Sequence, residues 1–244
     1  MKRGFGIRVA PCRFRQDNRD YIIDHGENAI SDALTSIKHV SARSAQALYE
    51  MREELYPTFT DLLADMEFKP ALDYQVVGIL ICLGYFREFG STGKLLQVHH
   101  AFRAGEYRFS KAHIAATQQK RLAALRTYEA SLPESELPIA EQIRRECEYI
   151  GTPLTTRESE RNLYAVLEVD ARYSPKLRLY SIATGNIGLM KIKKALFQRQ
   201  PLASGDTLRI LDWQRRPAYQ YVGGKSCPRS GLFELWLKAY ERLE

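Results

Sequence analysis

Basic and aromatic side chains alternate over the C-terminal third of the chain. Cationic groups attract a phosphate backbone and aromatic faces stack on unpaired bases, so this combination is typical of proteins that bind single-stranded nucleic acid. The candidates for these contacts are Tyr173, Lys176, Arg178, Tyr180, Lys191, Lys193, Lys194, Arg209, Trp213, Arg215 and Arg216. Each residue taken singly has an ordinary alternative, a solvated strand face or, for Trp213, a core position. Taken together they predict a binding surface.

The excess positive charge lies in the same region. The chain of 244 residues contains 36 Lys and Arg and 29 Asp and Glu, a net charge of +7. Residues 1–156 contain 20 of each kind, whereas residues 157–229 contain 14 basic and 6 acidic residues. A basic segment joined to a neutral one is the charge distribution expected for a phosphate-backbone partner. A solvated basic face without a ligand is the alternative.

A second candidate site lies in residues 33–51, whose pattern is that of a helix-hairpin-helix motif. Ile37 ends a first helix and Val40 plugs the turn. In this motif the turn and the start of the second helix offer backbone N–H groups to a duplex phosphate. His39 and Ser41 occupy the positions where glycine would allow close approach, so the motif is degenerate. The predicted contact residues are Lys38, His39, Ser41, Arg43 and Ser44. An ordinary helical hairpin is the alternative.

Residue types that could support catalysis or metal binding are poorly arranged. There is no Asp-x-Asp pair, and the four cysteines lie far apart without a C-x-x-C pair. His99 and His100 are adjacent on a predicted helix and therefore point in different directions. The sequence predicts no catalytic residue, no metal site and no cofactor in this chain.

The elements that must position these residues fall into two patterns. Apolar residues recur at helical spacing from Ser31 to Phe102, which predicts short helices with tight connections. A more polar helix is predicted over residues 111–128, and a second over 139–149 after a proline-rich loop.

After Pro153 the hydrophobic period changes to two. Strands are predicted over residues 164–169, 176–182, 188–193 and 207–211, with 219–222 and 233–240 as a fifth strand and a closing element. Five short strands in about 80 residues predict a small β-barrel.

The predicted class is α+β in three parts. Residues 1–104 form a helical unit, residues 105–156 a helical connector, and residues 157–244 the barrel. No apolar run is long enough to cross a bilayer and the N-terminus lacks an apolar signal stretch, so we expect a cytoplasmic protein without a membrane partner.

Seven segments before the barrel occur in a consistent order: Lys2–Pro11, Asp20–Ile23, Ala33–Lys38, Phe59–Leu63, Lys69–Leu72, Cys82–Gly90 and Glu146–Leu154. Together they resemble the C-terminal part of the alpha subunit of bacterial DNA polymerase III, a family C replicative DNA polymerase. Residues 173–180 extend the likeness, less sharply, into the barrel.

The resemblance implies the end of the fingers region, the helix-hairpin-helix region and an OB-like domain. It starts downstream of the family's palm, so the implied role is to hold primer-template duplex and single-stranded template in DNA replication. Catalysis and its magnesium ions would belong to a separate polypeptide that carries the palm. The alternative is a stand-alone protein that binds single-stranded nucleic acid or serves as a replisome adaptor.

Overall fold

The computed structural model describes residues 8–222 and 225–243 and has a mixed α+β architecture. Seven α-helices and two sheets are present in these ranges, which confirms the predicted α+β class. The chain divides into two compact units, residues 1–138 and 139–244. Residues 2–7, part of the first segment that resembles the polymerase family, lie outside the described residues.

The first unit combines a small sheet with five helices. Strand β3 lies between the other two, parallel to β1 and antiparallel to β2. Short 3-10 helices cover Leu34–Ser36, Arg87–Phe89 and Gly105–Tyr107. The bounds are β1 (Arg8–Ala10), β2 (Ile22–Asp24), β3 (Ala29–Ser31), α1 (Ala42–Glu50), α2 (Phe59–Met66), α3 (Tyr74–Cys82), α4 (Thr92–Arg103) and α5 (Ala115–Ser131).

Local capping and apolar spacing explain where these helices form. The side chains of Ser41, Thr58 and Asp73 each accept a hydrogen bond from the backbone N–H three residues later, which fixes the starts of α1, α2 and α3. Phe59 and Phe86 are fully buried where the helices meet. The short helices predicted from the apolar spacing are therefore confirmed. No helix in the described ranges combines the length and apolar character needed to cross a bilayer.

A buried carboxylate holds α5 against the start of α2. Glu129 accepts hydrogen bonds from the backbone N–H of Phe59 and of Thr60, both at 2.9 Å, and from the Thr60 hydroxyl at 2.6 Å. These N–H groups belong to the first turn of α2, where no intrahelical acceptor exists. The Glu129 side chain therefore caps the N-terminus of α2, although Glu129 is distant from α2 in the sequence.

The second unit is a closed barrel with a helix before it. Its five strands are hydrogen-bonded in the order β4-β5-β6-β8-β7, and β7 pairs again with β4. The β6–β8 pair is parallel and the other pairs are antiparallel. The bounds are α6 (Ile139–Ile150), β4 (Leu163–Asp170), β5 (Lys176–Ser181), β6 (Ile187–Ile192), α7 (Lys194–Arg199), β7 (Thr207–Val222) and β8 (Lys225–Leu243).

Two apolar clusters stabilise this unit. The barrel interior contains Val166, Leu177, Met190, Ile192 and Leu237. A second cluster lies where α6 packs, and it joins Ile143 to Leu163, Ala165, Tyr180 and Ile182. Alternate residues of β4 therefore contribute to different clusters.

The structure differs from the sequence expectation in several places. The unit predicted as helical over residues 1–104 also contains the sheet of β1, β2 and β3. The fifth strand and the closing element predicted over residues 219–222 and 233–240 are parts of one long hairpin, β7 and β8, that extends beyond the barrel. Helix α7 was not predicted. The segment 105–156, predicted as a single connector, contributes α5 to the first unit and α6 to the second.

We predict that Glu129→Ala destabilises the first unit by roughly 3 kcal/mol, because it leaves two backbone N–H groups and a buried hydroxyl without an acceptor. Urea unfolding followed by far-ultraviolet circular dichroism measures the loss. The matched control is Glu53→Ala, which removes an exposed surface carboxylate and should change little. Equal stability of the Glu129→Ala protein and the wild type would contradict the capping role.

Candidate nucleic-acid interface

The outer face of the barrel carries a row of polar and aromatic side chains across four strands. Cross-strand pairing places Lys176 beside Lys191, Lys191 beside Trp236, and Trp236 beside Gln214. Paired residues of neighbouring strands point to the same side of a sheet. The next residues along β6 and β8, Ile192 and Leu237, are buried in the barrel, so this row faces outward.

Two cations flank the indole ring of Trp236. The Lys191 ammonium lies 5.7 Å from the ring centre and the Arg216 guanidinium 5.0 Å from it. Lys191 also forms an ion pair of 2.6 Å with Glu234, and both of these side chains are half-buried. The arrangement combines a partly exposed aromatic ring with two cations beside it, the pair of features that contacts a base and its neighbouring phosphates.

Two more predicted residues extend this surface. Arg178 is exposed, lies beside Leu189 in the β5–β6 pairing, and stands 3.9 Å from the Glu168 carboxylate. Tyr173, in the loop between β4 and β5, is 90% exposed. An exposed tyrosine without packing contacts can stack on a base at little conformational cost.

Other predicted residues of the basic segment lie elsewhere. Tyr180 is buried, and its hydroxyl donates to the backbone oxygen of Thr155, so it packs in the cluster with α6. Lys193 and Lys194 follow β6 at the start of α7. Arg209 pairs with Glu241 at 3.3 Å.

The candidate DNA-binding residues on the β7–β8 hairpin lie on two opposite faces. Trp213 pairs with the buried Leu237 and Arg215 with Leu235, so both lie on the side that continues the barrel interior. There the Arg215 guanidinium stands 3.7 Å from the Phe233 ring centre. Trp213 is therefore on the opposite face from Trp236.

The sequence prediction does not include Trp236, because it assigns residues 233–240 only to a closing element. The alternation of inward and outward side chains in this segment does contain the information needed to place Trp236 on the outer face. Trp236 precedes the buried Leu237 and must point outward from the barrel. Its two flanking cations could not be inferred, since they come from different strands.

The turn of the predicted helix-hairpin-helix contains a residue whose backbone conformation is one that glycine normally adopts. His39 has a φ of +70°, in the left-handed region that favours glycine. Ile37 and Val40 are buried on either side of it. The element before the turn is the 3-10 helix Leu34–Ser36, rather than a full α-helix. The backbone thus adopts at His39 the conformation for which the motif normally uses glycine.

The predicted contact residues around this turn divide by exposure. Lys38, Ser41 and Arg43 are exposed. Ser44 is buried, and its hydroxyl donates to the backbone oxygen of Ala71 at 2.8 Å, so this side chain stabilises the fold. The Ser41 hydroxyl accepts from the Ser44 N–H at 3.1 Å. The N–H groups of Ala42 and Arg43, at the first two positions of α1, have no intrahelical acceptor and can face an anion.

The histidines considered as metal ligands have other environments. His99 is buried, and its ring stacks on that of Tyr74 with ring centres 4.1 Å apart. Burial lowers the pKa of the His99 imidazole to about 3. The Tyr74 hydroxyl lies 2.6 Å from Nδ1 of His100. Within residues 8–222 and 225–243, no group of three or more His, Cys, Asp or Glu side chains is placed to hold a metal ion.

The chain matches no protein-family model, and no curated protein sequence is significantly similar to it.

We predict that His39→Gly stabilises the first unit by about 1 kcal/mol or less, because glycine adopts the left-handed conformation without steric cost while losing more entropy on folding. His39→Val, which is β-branched, should destabilise it by roughly 1–2 kcal/mol. Urea unfolding by circular dichroism compares the two variants. The opposite order of stability would show that the turn does not have this backbone conformation in solution.

Proposed function

We propose that this protein binds DNA without catalysing a reaction on it. In this proposal the outer face of the barrel holds a single strand, and the turn before α1 contacts duplex phosphates. By its sequence resemblance, the protein is the DNA-holding C-terminal module of a family C replicative polymerase. The observation that carries the proposal is the row Lys176, Lys191 and Trp236, with Arg216 beside it, on one outward face of the barrel.

The topology supports assignment of the barrel as an OB-fold. The third and fifth strands of the barrel, β6 and β8, are parallel, and α7 lies between the third and fourth strands in sequence. OB-folds bind oligonucleotides on the face of their second and third strands and with the loops beside it. Here those strands are β5 and β6, which supply Lys176, Arg178 and Lys191, and the loop before β5 supplies Tyr173.

The hairpin at residues 37–43 supports a separate duplex contact. Its exposed side chains include Lys38 and Arg43, and the first N–H groups of α1 face the same end of the helix. Backbone contacts of this kind hold a phosphate regardless of base sequence. The duplex and the single strand would then be held by different units of the chain.

We predict that two variants of the barrel face, one double and one single, weaken single-strand binding in distinguishable ways. Lys191→Gln with Arg216→Gln removes two cationic contacts and should reduce the slope of log K against log salt by about 1.4. Trp236→Leu removes a stacking surface and should weaken binding by roughly 1–3 kcal/mol at every salt concentration, with the slope unchanged. Fluorescence anisotropy of a labelled oligothymidylate, titrated with the full chain at several salt concentrations, measures both quantities.

The chain offers matched controls for each change. Trp213→Leu alters the other tryptophan, which is exposed on the opposite face of the hairpin, and should leave affinity nearly unchanged. Lys111→Gln with Arg161→Gln changes the net charge equally at two exposed positions outside the row. If these controls weaken binding as much as the barrel-face variants do, the strand does not lie on this face. Absence of binding at low salt would contradict the proposal as a whole.

The polymerase role and the stand-alone alternative predict different results in the native host. We expect the chain alone to extend no primer with magnesium and deoxynucleoside triphosphates, because the two-metal reaction needs carboxylates from a partner. Affinity purification should recover a polypeptide with paired aspartates, and the complex should extend primers. Extension by the chain alone would contradict the non-catalytic assignment. A native complex without such a polypeptide would favour the stand-alone binding protein.

A further inference from the structure

The first unit contains a groove that the hairpin and the barrel face do not explain. It has a volume of about 570 Å³ and lies between the 3-10 helix Gly105–Tyr107 and one side of α5. Tyr107 and Tyr128 stack in its wall, with ring centres 4.8 Å apart and planes inclined by 26°. Both tyrosines are partly exposed, so the pair presents an aromatic surface to the groove.

Two cations line the same groove about two helical turns before Tyr128 on α5. Lys120 and Arg121 precede Tyr128 by eight and seven residues, which places all three on one side of α5. Ala124 lines the groove between Arg121 and Tyr128, and its small side chain leaves space there. At 1.5 Å per residue, the backbone positions of Arg121 and Tyr128 are about 10 Å apart.

These cations are not neutralised by the fold. Among the described residues, neither Lys120 nor Arg121 forms an ion pair, whereas Arg126 on the same helix pairs with Asp61. Glu106 is the acidic residue that lines the groove. The groove therefore has an excess of positive charge next to an aromatic pair, in a part of the chain whose overall composition is neutral.

We propose that this groove binds a nucleotide, either free or as one unit of a strand. The base stacks on the exposed face of the Tyr107–Tyr128 pair, and its phosphates lie against Lys120 and Arg121. An apolar peptide is a poorer occupant because two unpaired cations would lose hydration without a compensating partner. The site is separate from the barrel face and does not depend on the proposed function of that face.

Photo-crosslinking of the full chain tests this site because it identifies which residues contact the bound nucleotide. The probes are a short oligothymidylate containing 5-iododeoxyuridine and, separately, free 5-iododeoxyuridine triphosphate, with adducts mapped by peptide mass spectrometry. We expect an adduct at Tyr107 or Tyr128. Lys120→Glu with Arg121→Glu should reduce its yield by at least about tenfold. Lys111→Glu with Arg161→Glu, which changes charge equally outside the groove, should leave it unchanged.

The outcomes separate the two sources and separate this proposal from that for the barrel. An adduct from the oligonucleotide alone identifies a strand contact, and an adduct from the triphosphate alone or from both probes identifies a nucleotide pocket. The adduct should persist in the Lys191→Gln, Arg216→Gln protein if the sites are independent. Absence of any adduct at either tyrosine, or a yield unaffected by charge reversal in a variant with wild-type circular dichroism, overturns the proposal.

Discussion

Closure of the five-stranded sheet is the constraint on which the candidate interface depends. Strand β4 pairs with β5 on one side and with the start of β7 on the other, so the register of every strand between them is fixed. A shift of one residue would exchange the inner and outer faces. Three different strands supply Lys191, Arg216 and Trp236. These side chains share one face because closure of the sheet fixes the register of the three strands.

The same hydrogen-bonding device stabilises each unit. In the first, Glu129 caps α2; in the second, Glu146 accepts from the N–H groups of Leu154 and Thr155 at 2.6 and 2.9 Å, and from the Thr155 hydroxyl. Both are buried carboxylates that satisfy backbone donors. Glu146 thereby fixes the path from α6 to β4, and this brings α6 against the outside of the barrel at Tyr180.

Part of the positive charge of the barrel is already paired within the barrel. Lys191 pairs with Glu234 and Arg209 with Glu241. The Arg209–Glu241 pair is exposed, and pairs of that kind contribute little to stability, so a phosphate can replace its carboxylate at small cost. Binding would then exchange one ionic partner for another, and the net charge of +8 in residues 157–229 overstates the number of cations available to a strand.

The amino-acid sequence alone determined the class of the protein and most of its elements, because helical and strand periodicities are local. The short helices, the strands β4 to β6 and the inward direction of Met190 and Ile192 follow from that spacing. Only the tertiary structure decided which outward residues remain accessible. Tyr180 alternates outward in β5, yet α6 covers it, whereas Trp236 stays partly exposed between two cations. Such neighbours lie far apart in the chain, and packing and strand register, which no local pattern encodes, bring them together.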